Sequence, residues 1–165
     1  MALNNEDSVD KLLAQWAAVR PELDSSTMGV VARLRRTSNM WTSQLAVIFK
    51  EHEMSIVEFD ILATLRRTNA AVTPTELYQA LMLSSGAVST RIEQLVKRGF
   101  VQRVPSEHDR RSCKVTLTDQ GIEVIDVAVN AHVANMDNML TVLSQKEQQQ
   151  LSQLLKKVLL SEQAQ

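Results

Sequence analysis

The chain has 165 residues, of which 22% are charged, and a formal net charge of -1 at pH 7, so we expect a single soluble unit with one hydrophobic core of ordinary size. The first residues lack the basic start and apolar run of a signal peptide, and the longest uninterrupted apolar run, residues 45–49, is far too short to span a membrane. Together with a single cysteine, which allows no internal disulfide, these features predict a cytoplasmic protein with no membrane partner.

Two helices are predicted in the first 54 residues. Residues 8–20 place apolar side chains along one stripe, and Pro21 ends that helix. Residues 26–50 continue the three- and four-residue apolar spacing, which predicts a second helix roughly 37 Å long at 1.5 Å per residue. So long a helix in so small a chain needs another surface to lie against.

A third helix is predicted from residue 55 to residue 68. Ser55 and Glu58 have the spacing of a capping box, in which each side chain bonds the other residue's backbone N–H. Asp60 lies in the most apolar part of this helix. Periodicity alone leaves two alternatives open: a half-buried carboxylate, which needs a cationic partner or has a raised pKa, or a charge that simply reaches solvent.

Residues 73–99 have the plan of a helix-turn-helix. Thr73, Pro74 and Glu76 open a short helix as the N-cap, the first helical residue and the capping-box acid. After a polar break at residues 84–86, apolar residues return at helical spacing until Gly99, the expected stop. The outer face of the second helix carries small residues and an arginine, which would let its backbone approach the base edges in the major groove.

A β-hairpin is predicted directly after this second helix. Residues 100–104 and residues 113–117 alternate at period two, and a loop with a charged run separates them. Residues 84–114 hold seven cations and three acids, a net charge of +4 within a chain whose total is -1. Positive charge confined to one module is expected of phosphate contact, so the hairpin is predicted to be a DNA-contacting wing.

Two more helices are predicted after the hairpin. Thr118 caps the first, whose apolar stripe continues from residue 122 to residue 143, and Ser144 with Glu147 forms the capping box of the last. Apolar stripes at both ends of the chain need a partner, and a second copy would give a twofold homodimer that presents two recognition helices ~34 Å apart to a palindromic DNA site. The alternative, packing within one chain, would leave two long stripes sharing a small core.

We therefore predict a mainly α fold, a winged helix-turn-helix head with a small β-hairpin wing and long dimerisation helices at both ends. The predicted segments are N-terminal helices in residues 1–54, the DNA-binding head in residues 55–117 and C-terminal dimerisation helices in residues 118–165. Many simple winged-helix regulators start without the extra first helix.

The order of three motifs resembles that of the MarR family of winged helix-turn-helix repressors. The motifs are Lys97-Arg98-Gly99-Phe100-Val101, Asp109-Arg110-Arg111-Ser112 and Leu117-Thr118-Asp119-Gln120-Gly121. The resemblance implies a DNA-binding repressor. At the wing tip, His108 occupies a position where the family often has an arginine, so Arg110 is expected to take more of the minor-groove contact. The residues expected to contact double-stranded DNA are Ser84, Ser85, Ala87, Thr90, Arg91, His108, Arg110 and Arg111.

Four residues resemble positions that characterise the urate-responsive branch of this family: Trp16, Asp60, Arg91 and Arg103. The resemblance favours the paired alternative for Asp60. It implies that a small anionic ligand near Trp16 and Arg103 displaces Asp60 from an ion pair with Arg91 and so moves the recognition helix. Repulsion between the anion and the carboxylate gives such a switch a physical basis. The alternative effector is a phenolic or other aromatic ligand in the cleft between the dimerisation helices and the head.

Other classes of function have less support in the sequence. A winged-helix module that binds a protein and not DNA is a second hypothesis, and salt-dependent, sequence-specific DNA binding would separate the two. The chain has neither a glycine-rich phosphate loop nor a nucleophile elbow, and its three histidines are too scattered for a metal site, so we expect no enzyme activity, catalytic residue, metal or cofactor. Cys113 could act as an oxidant sensor, although a lone cysteine on a wing strand is more often a packing residue.

Overall fold

The computed structural model describes residues 6–105 and 113–162. The predicted fold class, mainly helical with a small β-hairpin, is confirmed. Within the described residues, no helix is both long and apolar enough to cross a membrane. The elements in chain order are α1 (Ser8–Val19), α2 (Ser26–Glu51), α3 (Ile56–Thr68), α4 (Pro74–Leu81), α5 (Ser85–Lys97), β1 (Val101–Pro105), β2 (Cys113–Leu117), α6 (Asp119–Met139) and α7 (Gln145–Glu162).

The chain divides into two compact units, Met1–Gln44 and Leu45–Gln165. In the first unit, the carboxylate of Asp7 caps α1 and accepts the backbone N–H groups of its first turn. Arg33 of α2 donates to Asp7 at 2.8 Å and to Asp10 at 2.6 Å. These bonds fix the start of α1 against α2.

The core of the second unit lies among α3, α4, α5, the hairpin and α6. Helix α3 begins at the predicted capping box of Ser55 and Glu58, and Asn69 ends it in the left-handed conformation at φ 49°. Phe49 stacks on Phe59 with 4.1 Å between ring centroids, which brings the end of α2 into this core. The largest fully buried side chains of the core are Phe49, Ile61, Leu62, Leu77, Ile92, Leu95 and Ile125.

The hairpin pairs Val101–Pro105 with Cys113–Leu117 in antiparallel register. Its first strand begins one residue later than the sequence predicts, because Phe100 bonds to the neighbouring helix ends. The N–H of Phe100 donates to the carbonyl of Leu95, and its carbonyl accepts from the N–H of Thr118. Phe100 therefore bonds a carbonyl of the last turn of α5 and is not a member of the strand.

Gly121 allows α6 to begin directly against the hairpin. A Cβ at this position would overlap the carbonyl oxygen of Phe100. The hydroxyl of Thr118 accepts the N–H of Gly121 at 3.0 Å and donates to the carbonyl of Gly99 at 2.6 Å. The Leu-Thr-Asp-Gln-Gly motif thus joins the end of α5 to the start of α6.

Helix α6 ends at Met139, before the end of the predicted apolar stripe. The side-chain amide of Gln148 donates to the carbonyls of Leu140 and Leu143, each at 3.1 Å. These carbonyls follow the end of α6 and have no partner within a helix, so the bonds from Gln148 compensate for the early helix end. Ser144 then caps α7, as predicted.

Candidate nucleic-acid interface and ligand-binding residues

The second helix of the helix-turn-helix, α5, begins earlier than the sequence predicts. Ser84 is its N-cap and accepts the N–H of Ala87 at 3.4 Å, so Ser85 and Gly86 lie in the first helical turn and not in a break before it. Thr90 donates its hydroxyl to the carbonyl of Gly86 at 3.0 Å. Ser84 caps the helix, and the small residues that follow point outward. The helix therefore begins where the sequence predicts a turn.

The N-terminal face of α5 is exposed and carries small side chains. Val88, Ile92 and Leu95 face the core, each at most 1% exposed. A Cβ at Gly86 would meet no heavy atom within 4 Å. The predicted DNA-contacting residues of this segment that are exposed are Ser84, Ser85, Ala87 and Thr90. This face can therefore bring backbone N–H groups close to a polyanion or a base edge.

Arg91 is partly buried, and its guanidinium donates to Gln94 at 2.8 Å, so it lies along the surface of α5. The wing-tip residues His108, Arg110 and Arg111 fall outside the described residues, and their DNA contacts stay predictions.

Arg103, at the base of the wing, forms an ion pair with Glu93 of α5. Its guanidinium also donates to the Cys113 sulfur at 3.8 Å, and the hydrogen bond to Cys113, followed by the one to Glu93, raises the pKa of Arg103. Arg103 therefore ties the strand to the recognition helix in this structure. The simpler interpretation of Arg103 is a contact with a DNA phosphate. Such a contact would require Arg103 to release Glu93.

Glu58 is a buried carboxylate, 7% exposed, that faces the recognition helix from α3. It lies 3.6 Å from the Arg98 guanidinium at the C-cap of α5. Burial opposes its ionisation, but hydrogen bonds from the backbone N–H and hydroxyl of Ser55, with the charges of Arg98 and Arg91, lower the pKa of Glu58. The sequence predicts only a capping role for Glu58. The signal in the sequence for a second role is that Glu58 precedes Asp60 by two residues and so lies on another face of α3.

Asp60 does not form the expected ion pair with Arg91. Burial raises the pKa of the Asp60 carboxyl. Among the described residues, His132 and Arg67 are the groups whose charge opposes that shift. The physical reason is helical geometry: residues two apart are about 200° apart around an α-helix, so Glu58 and Asp60 face different neighbours. Asp60 is therefore a half-buried carboxylate, which is one of the two alternatives. Its charged neighbours are His132 and Arg67 and not Arg91, the partner that the resemblance implies.

His132 of α6 lies beside Asp60 and was not singled out from the sequence. Its ring is 4.9 Å from the Phe59 centroid and 5.4 Å from that of Phe49. Its Nδ1 atom is buried and has no hydrogen-bond partner among the residues that the structure describes. Burial lowers the pKa of His132, and the neighbouring Asp60 opposes that shift. Both residues, with Arg67, line a cavity of about 420 Å³ between α3, α4 and α6.

Trp16 belongs to the first unit and remains 38% exposed. It lines a groove of about 670 Å³ between α1 and α2, together with Arg35, Arg36 and Asn39. The sequence predicts a ligand-binding role for Trp16 but not for these α2 residues. Their spacing on one face of α2, three and four residues apart, was the signal that could have found them. No group of three or more metal-ligating side chains occurs within residues 6–105 and 113–162.

Comparison with known proteins gives three similarities. A family profile described as MarR family matches residues 52–112. The HTH-type transcriptional regulator PecS of Dickeya dadantii (strain 3937) is 38% identical over 152 residues, which are 91% of this chain and 92% of that protein. The crystal structure of wild-type apo MarR from Escherichia coli superposes with a TM-score of 0.69 at 26% identity, over 78% of this chain and 94% of that one.

A mutant of the same E. coli protein, solved in complex with operator DNA, superposes with a TM-score of 0.71 at 23% identity, over 87% of this chain and 97% of that one. At this identity the likeness concerns the fold.

Proposed function

Because the chain belongs to the MarR family of transcriptional regulators, we propose that it binds a palindromic operator as a homodimer, represses transcription there, and is released by a small anionic ligand such as urate. The observation that carries the DNA part is the exposed N-terminal face of α5, with small residues from Ser84 to Ala87. A helix with this face can enter the major groove, and the family member solved with operator DNA has the same fold.

The cations around α5 support phosphate contact. Lys97 is exposed near its C-terminus, and the wing carries Arg110 and Arg111 in its sequence. Arg98 and Arg103 have carboxylate partners in Glu58 and Glu93, so we assign them to holding the head together. Affinity for DNA is then expected to depend on Lys97, Arg110 and Arg111 and to weaken steeply with salt.

The homodimer is supported by apolar surface on the terminal helices. No residue of α7 from 145 to 161 is buried, although it presents Leu154, Val158 and Leu159 at 58–67% exposure. On α6, Val133 and Met136 are also exposed. Apolar side chains left exposed along helices are typical of an interface, and a second copy would place two recognition helices on one face of a duplex.

The ligand part rests on the resemblance of Trp16, Asp60, Arg91 and Arg103 to the urate-responsive branch. Asp60 contributes a half-buried carboxyl whose pKa is already raised by burial. An anion brought near it adds repulsion that a change of conformation would relieve. The proposed release does not pass through an Asp60–Arg91 ion pair, since Arg91 bonds to Gln94.

The test starts with selection of bound sequences from a random duplex library by the full-length protein. The expected product is an inverted repeat with half-sites about one helical turn, ~10 base pairs, apart. Urate is then titrated to millimolar concentration into the complex, and release is followed by gel shift, with Asp60→Asn expected to blunt the response. Selection of no sequence would favour a protein-binding module. Retention of the complex at millimolar urate would remove urate as the ligand and leave the DNA part standing.

A further inference from the structure

Met82, in the turn between α4 and α5, combines an unfavourable backbone conformation with high exposure. It is the C-cap of α4 and adopts the left-handed conformation, at φ 51° and ψ 38°. Its side chain is 92% exposed, more than any other large apolar side chain among the described residues. The left-handed conformation brings the Cβ of an ordinary residue close to the backbone and costs conformational energy. The Met82 side chain therefore adds strain to the turn and buries almost no surface.

The neighbours of Met82 hold its backbone in this conformation. The N–H of Leu83 donates to the carbonyl of Tyr78 at 3.1 Å, and the Leu83 side chain packs against the core. A helix end of this kind favours glycine or asparagine, and the chain has those residues at two other left-handed helix ends, Gly99 and Asn69. The fold thus accounts for the conformation of the turn but not for a methionine in it.

Met82 lies at the end of α5 that is proposed to enter the major groove. It precedes the N-cap, Ser84, by two residues, which span at most about 7 Å of chain. The residues that follow it on the exposed face, Ser84, Ser85 and Ala87, are small. The apolar group that the base edges present in the major groove is the 5-methyl group of thymine. A flexible thioether side chain can pack on that group, and the contact would bury apolar surface that the free protein exposes to water.

We propose that Met82 is a specificity-determining residue of the DNA-binding head, whose side chain packs on the 5-methyl group of one thymine in each operator half-site. Cytosine lacks this methyl group, so the contact selects thymine at one position of the half-site. The contact rests on the proposed function, because it needs duplex DNA at the start of α5. It adds an apolar base contact to the polar and cationic residues expected to contact DNA.

The test uses the full-length protein and the operator that it selects from a random duplex library. Each thymine of one half-site is replaced in turn by deoxyuridine, which lacks only the 5-methyl group, and affinity is measured by fluorescence anisotropy. For the wild type we expect one position at which the replacement weakens binding about fourfold, the effect of one buried methyl group. Met82→Gly should lose this effect and should bind the unmodified operator about fourfold more weakly per half-site. Met82→Leu, which keeps an apolar side chain, should retain the effect.

Thermal unfolding separates a DNA contact from a structural role. Glycine adopts φ 51° without the penalty of a Cβ, so Met82→Gly should unfold at the temperature of the wild type or above it. Glu53→Gly is the matched control, because Glu53 is also exposed and left-handed, at φ 54°, but lies between α2 and α3. This control should keep the deoxyuridine effect of the wild type.

The same response to deoxyuridine in the wild type and in Met82→Gly at every thymine would overturn the proposal, as would unchanged operator affinity of Met82→Gly. A lower melting temperature of Met82→Gly would also overturn it, because the side chain would then stabilise the fold. Each of these results leaves a protein that binds its operator, so the proposed function stands. Selection of no operator, by contrast, would remove the proposed function and this contact together.

Discussion

Glu58 at the start of α3 and Arg98 at the C-cap of α5 form an ion pair of 3.6 Å that joins the first helix of the head to the recognition helix. The same carboxylate accepts the N–H and hydroxyl of Ser55, each at 2.7 Å. Arg98 in turn lies over the ring of Phe100, 4.7 Å from its centroid. The orientation of α5 thus depends in part on this ion pair, whose carboxylate is buried and whose guanidinium is partly exposed.

We expect Glu58→Gln to lower the free energy of unfolding by about 1–3 kcal/mol at pH 7, because it leaves Arg98 facing a neutral amide in a buried place. Urea unfolding measures the change. The variant Arg98→Gln and the double variant complete a mutant cycle, in which the pair should show coupling. Additive losses would mean that Glu58 acts through Ser55 alone.

The same residue predicts loss of stability in acid. Its pKa is lowered from 4.5 in the folded state, so its contribution is complete above about pH 4.5 and is lost as pH falls through the folded value. The free energy of unfolding of Glu58→Gln should therefore fall less steeply than that of wild type below pH 4.5. Parallel curves for the two proteins would contradict this assignment.

Asp60 should behave in the opposite sense. Its pKa is raised from 3.8, with burial as the main cause, so the ionised carboxylate opposes folding at neutral pH and this cost disappears as pH falls through the folded value. We expect Asp60→Asn to raise stability at pH 7 by about 0.5 kcal/mol, allowing for partial solvation. A destabilised Asp60→Asn would show that the Arg67 cation stabilises the carboxylate more strongly than burial opposes it.

Gly86 and Gly121 give contrasting predictions for the same substitution. Gly86→Ala should raise stability by about 0.5–1 kcal/mol, since the methyl group meets open space in a helix. The same methyl group should weaken operator binding about tenfold, because it separates the backbone of α5 from the base edges. Unchanged operator affinity of Gly86→Ala would show that this face does not lie in the groove.

Gly121→Ala should destabilise the protein by about 2–4 kcal/mol, because its Cβ would overlap the backbone of Phe100. Thermal unfolding measures the loss, and the folded fraction should bind operator with unchanged affinity. A melting temperature like that of wild type would mean that α6 can move away from the hairpin.

Local features of this fold are predictable from sequence, because they depend on residues within one turn of each other. The capping boxes at Ser55, Thr73 and Ser144 are examples, as is the left-handed stop at Gly99, with φ 77°. The sequence predicts the start of α5 too late, because serine and glycine favour turns as well as helix starts.

The partners of charged residues were less predictable, since they depend on which faces of distant helices meet. Arg98 is 40 residues from Glu58 in the sequence, and nothing local marks the pair. Asp60 was assigned to Arg91 by resemblance, but α3 turns it toward His132. His132 itself gave no signal, because one histidine in an apolar stripe is ordinary.

The most direct test of the regulator is a fluorescence anisotropy titration of the selected duplex against a scrambled duplex of the same composition, repeated from 50 to 200 mM salt. We expect two protomers per duplex, a preference for the selected sequence of at least about 1,000-fold, and an affinity that falls linearly with salt on logarithmic axes. Equal affinity for the two duplexes, or binding that does not change with salt, would contradict it.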